Sequence, residues 1–292
     1  MPTFKGTITA LITPFRSGQV DFPALQRLVE LQLAAGIDGL VPCGTTGESP
    51  TLSREEQQAV IECVVRAARG RTPVIAGAGS NNTADAIERS LAAARAGADG
   101  LLLVNPYYNR PTQPGLYEHF AAIARAVDLP IMLYNIPGRC AVELSVATIT
   151  RLRADCRSIV ALKHATGRVD DAADLINACD IEVLSGDDPL TLPLMSLGAV
   201  GVVSVISNLA PRATKRLTDA ALCGDLAAAR AAHRALFPLM RGLLSLETNP
   251  TPIKTALALR GLCAEEFRLP MCPLAPESRA RLEALLREHP LG

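Results

Sequence analysis

Short apolar runs alternate with longer amphipathic stretches along most of the chain. Eight short runs read as buried strands, at 6–12, 39–41, 74–76, 100–104, 131–135, 159–163, 182–185 and 201–205. Several are apolar at every position, which suits parallel strands covered on both faces. The stretches between them carry helix signals. Asp21 caps a helix with Pro23 in its first turn, and Gly36 stops it. Ser53 and Glu56 form a capping box ahead of Val60, Ile61, Val64 and Val65. Another helix opens at Asn82 and Thr83, shows Ala86, Ile87, Leu91 and Ala94 on one face, and ends at Gly97.

A weak internal repeat follows the same rhythm. Ala-Gly-Ile-Asp-Gly-Leu at 35–40 returns as Ala-Gly-Ala-Asp-Gly-Leu at 96–101 and as Leu-Gly-Ala-Val-Gly-Val at 197–202. Each copy is a helix-stop glycine followed by entry into a strand. The first two lie two βα units apart, at about thirty residues per unit. Eight such strands predict an α/β chain, a (β/α)8 TIM barrel over residues 1–224. A doubly wound sheet alternates too, but no GxGxxG follows the first strand. Beyond Gly224 the pattern is wholly helical, near 225–243, 252–261 and 276–287, so residues 225–292 read as a C-terminal helical domain. The uncharged stretch 189–211 is long enough to cross a bilayer. Pro189, Pro193, Gly198, Gly201, Asn208 and Pro211 interrupt it, so it reads as a short helix, a glycine turn, a buried strand and a loop.

Composition narrows the function. The chain has 292 residues, 49% hydrophobic, with 29 Lys+Arg against 29 Asp+Glu. This balance argues against nucleic acid as a partner. Only four residues are Lys, at 5, 163, 215 and 254, so a lysine in an apolar run stands out. The eight cysteines form no CxxC, and the four histidines lie apart, so no metal site is expected. Free thiols and an N-terminus lacking a basic segment before a long apolar run point to a cytoplasmic protein with no membrane partner.

A barrel of this kind carries its site at the carboxyl ends of its strands. Lys163 ends the run Ile-Val-Ala-Leu at 159–162. Desolvation there disfavours the ammonium, and a neutral amine forms a Schiff base with a ketone. If Lys163 points into the barrel, His164 points toward the helices. Tyr134 ends the preceding strand with a phenol able to shuttle protons. Gly-Thr-Thr-Gly at 44–47 offers hydroxyls and backbone N–H groups to a carboxylate. Arg139, in a loop after Pro137 and Gly138, suits bidentate capture of a second carboxylate. Asp187 and Asp188 suggest a turn or cap rather than a metal pair.

Taken together, GTTGES at 44–49, Pro-Tyr-Tyr at 106–108, YNIPGR at 134–139, LKHATG at 162–167 and LSGDD at 184–188 resemble the dihydrodipicolinate synthase and N-acetylneuraminate lyase superfamily. Glu-Thr-Asn-Pro at 247–250, Pro252, Lys254 and Arg-Leu-Pro at 268–270 extend the resemblance over the whole chain. It implies a class I aldolase mechanism without a cofactor. Lys163 would condense with pyruvate, Tyr134 and Thr45 would relay protons, and Tyr108 would reach a neighbour's site across a dimer interface. Thr46, Gly186 and Val203 would contact substrate, and Arg139 would bind the carboxylate of L-aspartate 4-semialdehyde. The expected pathway is the diaminopimelate route of lysine biosynthesis, and the expected assembly a homotetramer of two tight dimers.

Sialic-acid lyases lack an arginine at 139, which favours the synthases. Sugar-acid aldolases and dehydratases of the same fold also carry PGR-like loops, so a sugar-acid substrate is the alternative, with a non-catalytic barrel behind it. His164 replaces a common acidic residue, and Cys140 a common threonine. Ser49, Asn81, Asp85 and Tyr107 match a lysine feedback site in regulated relatives. Asp85 is shorter than the usual Glu, and Arg54 and Gln57 stand where some relatives have histidines.

Overall fold

The computed structural model describes residues 4–289. The eight runs form one ring of parallel strands. These are β1 (Gly6–Ala10), β2 (Gly39–Val41), β3 (Ile75–Gly77), β4 (Gly100–Val104), β5 (Ile131–Asn135), β6 (Ile159–His164), β7 (Glu182–Ser185) and β8 (Gly201–Ser204). Each strand from β3 to β8 pairs with the next, β8 pairs with β1 and β1 with β2. A parallel bridge between Leu40 and Val74 closes the ring. Helices follow the strands and cover the outside, as the alternation predicts.

The strand ends depart from the sequence pattern for identifiable reasons. β1 stops at Ala10 because the Ile12 N–H donates to the Asn208 side chain instead of a neighbouring strand. β8 stops at Ser204 because the N–H groups of Val205 and Ile206 turn onto the Asp188 carboxylate. Asp188 opens the 3-10 turn Asp188–Leu190, as the turn reading suggests, but its carboxylate ties a distant strand end rather than capping a local helix. The helix starts follow their caps. Asp21 accepts from the Ala24 N–H, Asn82 accepts from the Ala84 N–H, and both bonds of the Ser53/Glu56 box form. Stretch 189–211 folds as the helix Thr191–Met195, a positive-φ Gly198, β8 and a 3-10 turn. Among the described residues no helix is long and apolar enough to cross a membrane.

Three apolar clusters hold the fold. Ile8, Val41, Ile75, Leu102, Met132, Ala161, Leu184 and Val203 fill the barrel. Leu40, Leu101, Leu103, Leu133 and Leu162 face outward into the helix layer. At about 1.5–3 kcal/mol for each fully buried large side chain, these two layers dominate the stability. A third cluster joins the barrel to the C-terminal helices Leu226–Leu246, Thr251–Leu259 and Pro276–Glu288. Pro238 sits inside the first of these, which runs beyond the expected 243. A hairpin unforeseen in the sequence, Phe15–Arg16 with Gln19–Val20, presents the N–H groups of Ser17 and Gly18 to Glu266 of the same appendage.

Gly77 ends β3 where a side chain has no room. A Cβ there would lie 2.2 Å from the Cys43 carbonyl oxygen. Gly77→Ala is expected to lower stability by about 1–3 kcal/mol in urea denaturation. Gly138, which has no neighbour within 4 Å of such a Cβ, serves as the tolerant control. Equal stability of the two variants would contradict this packing.

Candidate active site

Strand alternation decides which side chains reach the barrel mouth. Ala161 lies in the interior cluster and Leu162 in the outer layer. Lys163 shares the face of Ala161 and points inward, while His164 shares the face of Leu162. Tyr134 is the partner of Lys163 across the β5–β6 ladder, and Lys163 Nζ lies 4.2 Å from its ring centroid. Lys163 is only 5% exposed. Among the described residues no hydrogen bond reaches its Nζ.

This environment sets the protonation states. Burial disfavours the ammonium and brings the Lys163 pKa down from 10.5 to about 8. Asp187 and Asp188 oppose that fall, and Arg139 adds to it. Burial also pushes the Tyr134 phenol up, against the opposing effects of Arg139 and a hydrogen bond with Thr45. Tyr134 therefore holds its proton while Lys163 releases one readily. Asp187 is raised by burial and drawn back by Lys163.

The loop after β2 brings Thr45 and Thr46 to the same end. Thr13 Oγ1 donates to the Gly47 carbonyl at 2.7 Å. Asn249 Nδ2 donates to Thr46 Oγ1 at 3.1 Å. Among the described residues no protein acceptor meets the backbone N–H groups of Thr45 and Thr46, so both stay available to an anion. Arg139 lies on a helical turn, Pro137–Cys140, and not in the expected loop, because its N–H bonds back to the Ile136 carbonyl. Its Nη2 donates to the Asn249 carbonyl at 3.0 Å. Asn135 fixes the chain just after Tyr134, accepting from the Leu144 N–H and from Asn105 Nδ2.

Gly186 and Val203 complete the lining. A Cβ on Gly186 would lie 2.7 Å from the Ala165 Cβ and 3.2 Å from Lys163 Cε, so a side chain would collide with Ala165 and crowd the lysine. Val203 is fully buried in the barrel interior with Tyr134. Among the described residues no group of three or more His, Cys, Asp and Glu stands close enough to hold a metal.

Other expected residues lie apart. Tyr108 is 90% exposed with φ +73° and belongs to no site within its own chain. Asn81 Nδ2 donates to the Tyr107 carbonyl. Asp85 holds Arg54 at 2.9 Å and Arg89 at 2.7 Å. Arg89 reaches Gln57, which donates to the Ser49 carbonyl. Asn249 received no role from the sequence, yet it contacts both Thr46 and Arg139. Its only signal is the Glu-Thr-Asn-Pro run at 247–250, whose spacing specifies no chemistry.

Known proteins resemble this chain over nearly its whole length. A model of the dihydrodipicolinate synthetase family matches residues 3–289. The chain is 52% identical over 290 residues to the 4-hydroxy-tetrahydrodipicolinate synthase of Pelobacter propionicus, covering 99% of each. The crystal structure of dihydrodipicolinate synthase from Aquifex aeolicus superposes with a TM-score of 0.97 at 49% identity, covering 99% of each chain. The chloride-inhibited enzyme from Acinetobacter baumannii, complexed with pyruvate, matches at a TM-score of 0.96 and 44% identity over 99% of this chain and 100% of that one.

The lysine environment makes a direct prediction. A small amine-selective acylating reagent attacks only neutral amine, so labelling of Lys163 rises with pH through a midpoint near 8. Asp187→Asn removes a charge that stabilises the ammonium and moves the midpoint down. Peptide mass spectrometry across a pH series reads both, and a midpoint near the ordinary 10.5 would contradict the assignment.

Proposed function

This chain belongs to the dihydrodipicolinate synthetase family, and from that membership and the barrel geometry we propose how its residues divide the work. Its activity is that of a 4-hydroxy-tetrahydrodipicolinate synthase, a lyase of the diaminopimelate route to lysine. Pyruvate condenses with L-aspartate 4-semialdehyde through a lysine Schiff base, and no cofactor takes part.

Lys163 is the Schiff-base lysine. Its neutral amine attacks the keto carbon of pyruvate, and the carbinolamine loses water to leave an imine. A proton leaves the methyl carbon, and the resulting enamine attacks the aldehyde carbon of the second substrate. The aldehyde oxygen takes up a proton and becomes a hydroxyl. The substrate's own amine then adds to the imine carbon and expels Lys163, closing the ring. The net yield is one cyclic product and one water.

Tyr134 supplies and recovers protons with Thr45, which a phenol held protonated by burial suits. Thr46 and the free N–H groups beside it receive the pyruvate carboxylate. Arg139 receives the carboxylate of the semialdehyde, and Gly186 and Val203 leave the space beside the imine. Tyr108 completes the relay in a second copy, a reading its exposure supports. The assembly is then a homotetramer of two such dimers. The eight unpaired cysteines support a reducing, cytoplasmic setting.

One observation carries this reading, the buried lysine amine facing the buried Tyr134 ring at a strand end. A coupled assay tests it with pyruvate, L-aspartate 4-semialdehyde, NADPH and a downstream reductase. Lys163→Ala is expected to abolish turnover, and Tyr134→Phe to cut it by about 10²–10⁴-fold. Turnover retained by folded Lys163→Ala would refute the assignment.

The proposed feedback residues already carry charge pairs of their own. The Asp85 carboxylate already carries two guanidinium groups, so an incoming ammonium meets Arg54 and Arg89 before any open carboxylate. Millimolar L-lysine is therefore expected to leave turnover unchanged. Submillimolar inhibition in the same assay would contradict this.

A further inference from the structure

The barrel-mouth chemistry leaves a second buried lysine without a task. Lys254 is fully buried, and its Nζ donates to Glu48 Oε1 at 2.6 Å. The Glu48 side chain is 1% exposed. Lys254 Nζ also lies 4.0 Å from the Phe15 ring centroid and 5.2 Å from that of Phe267. The remaining Glu48 oxygen accepts from the Arg268 N–H at 3.3 Å. Arg268 stacks on Phe15, bonds Glu56 through both terminal nitrogens and reaches the Thr51 carbonyl.

Glu48 belongs to the loop that carries Thr45 and Thr46. It sits at φ +53°, a left-handed conformation that costs an ordinary residue free energy. Lys254 and Arg268 belong to the C-terminal appendage. The anchor therefore grips the loop within three residues of its two threonines, from a part of the chain outside the barrel. Asn249 adds a third hold from the same appendage, on Thr46 itself.

We propose that the buried Glu48–Lys254 pair is a positioning device, through which the C-terminal helices hold the Thr45 and Thr46 loop at the distance from Lys163 that pyruvate requires. Lys254 touches no substrate in this account. An ion pair sealed from water is a costly way to gain stability, since an apolar pair of equal volume does as well or better. Its directionality is what apolar contact lacks. A buried carboxylate that must meet one ammonium fixes the loop in one place, and small misplacements near a reacting carbonyl cost rate steeply.

The proposal rests on the assignment of Thr46 to the pyruvate carboxylate. The test uses the full-length protein with both charges removed, Glu48→Gln with Lys254→Met, a neutral pair of similar volume that avoids stranding one buried charge. It is expected to stay folded, with a melting temperature lowered less than in Lys254→Met alone. Its KM for pyruvate is expected to rise about 10-fold or more, because the loop has lost its anchor. The KM for the semialdehyde, held by Arg139, is expected to stay near wild type. Lys254→Met alone strands Glu48 and is expected to lower the melting temperature as well. A folded double variant with wild-type KM for pyruvate and wild-type kcat would overturn the proposal. Lys163→Ala, run beside it, separates the two readings. Turnover in that variant would refute the site itself, whereas an inactive Lys163→Ala beside an unimpaired double variant would refute only the positioning role.

Discussion

Taking an ammonium out of water costs free energy that a partner must return, and the two lysines buried most deeply here meet that cost in opposite ways. Lys254 meets it with a carboxylate at 2.6 Å. Lys163 has the face of a tyrosine ring, at 4.2 Å from the centroid, and the charges of Asp187 and Asp188 without a hydrogen bond from either. Burial lowers the first one's pKa as well, and Glu48 draws it back toward the charged form. The second, its pKa brought down to about 8, gives up its proton more easily and becomes a nucleophile. The rest of the site serves this difference. The apolar barrel below Lys163 keeps water out, and the carboxylates of Asp187 and Asp188 keep its pKa from falling further.

Local backbone choices enforce the arrangement. The period-two alternation of β6 puts Ala161 and Lys163 inside and Leu162 outside, so a slip of one residue would replace the lysine with His164. Gly186 leaves the gap that the lysine chain fills. Asp188, by accepting from Ser204 Oγ and two backbone N–H groups, ends β8 at the level of the site. Each of these groups helps decide where the amine stands.

Much of this is legible in the sequence because strands buried on both faces read as uninterrupted apolar runs. The runs at 39–41, 100–104, 131–135 and 182–185 coincide with strands to the residue. Helix caps are equally legible, since Asp21, Ser53 and Asn82 act within four residues of themselves. Strand ends are less so. Ile12 and Val205 continue their apolar runs but spend their N–H groups on Asn208 and Asp188, partners distant in sequence. The site shows the same division. Lys163 and Tyr134 stand out locally, in a chain with four lysines and four tyrosines. Asn249 and the Glu48–Lys254 pair are set by contacts some two hundred residues apart, which no local pattern encodes. Tyr108 has no role that one chain can define.

On the proposed mechanism pyruvate becomes covalently bound to Lys163. Borohydride reduction in the presence of pyruvate, followed by peptide mass spectrometry, tests it most directly. A pyruvate-derived adduct is expected on Lys163 alone, absent when pyruvate is omitted. An adduct on Lys254 or another amine, or none while the enzyme turns over, would contradict it.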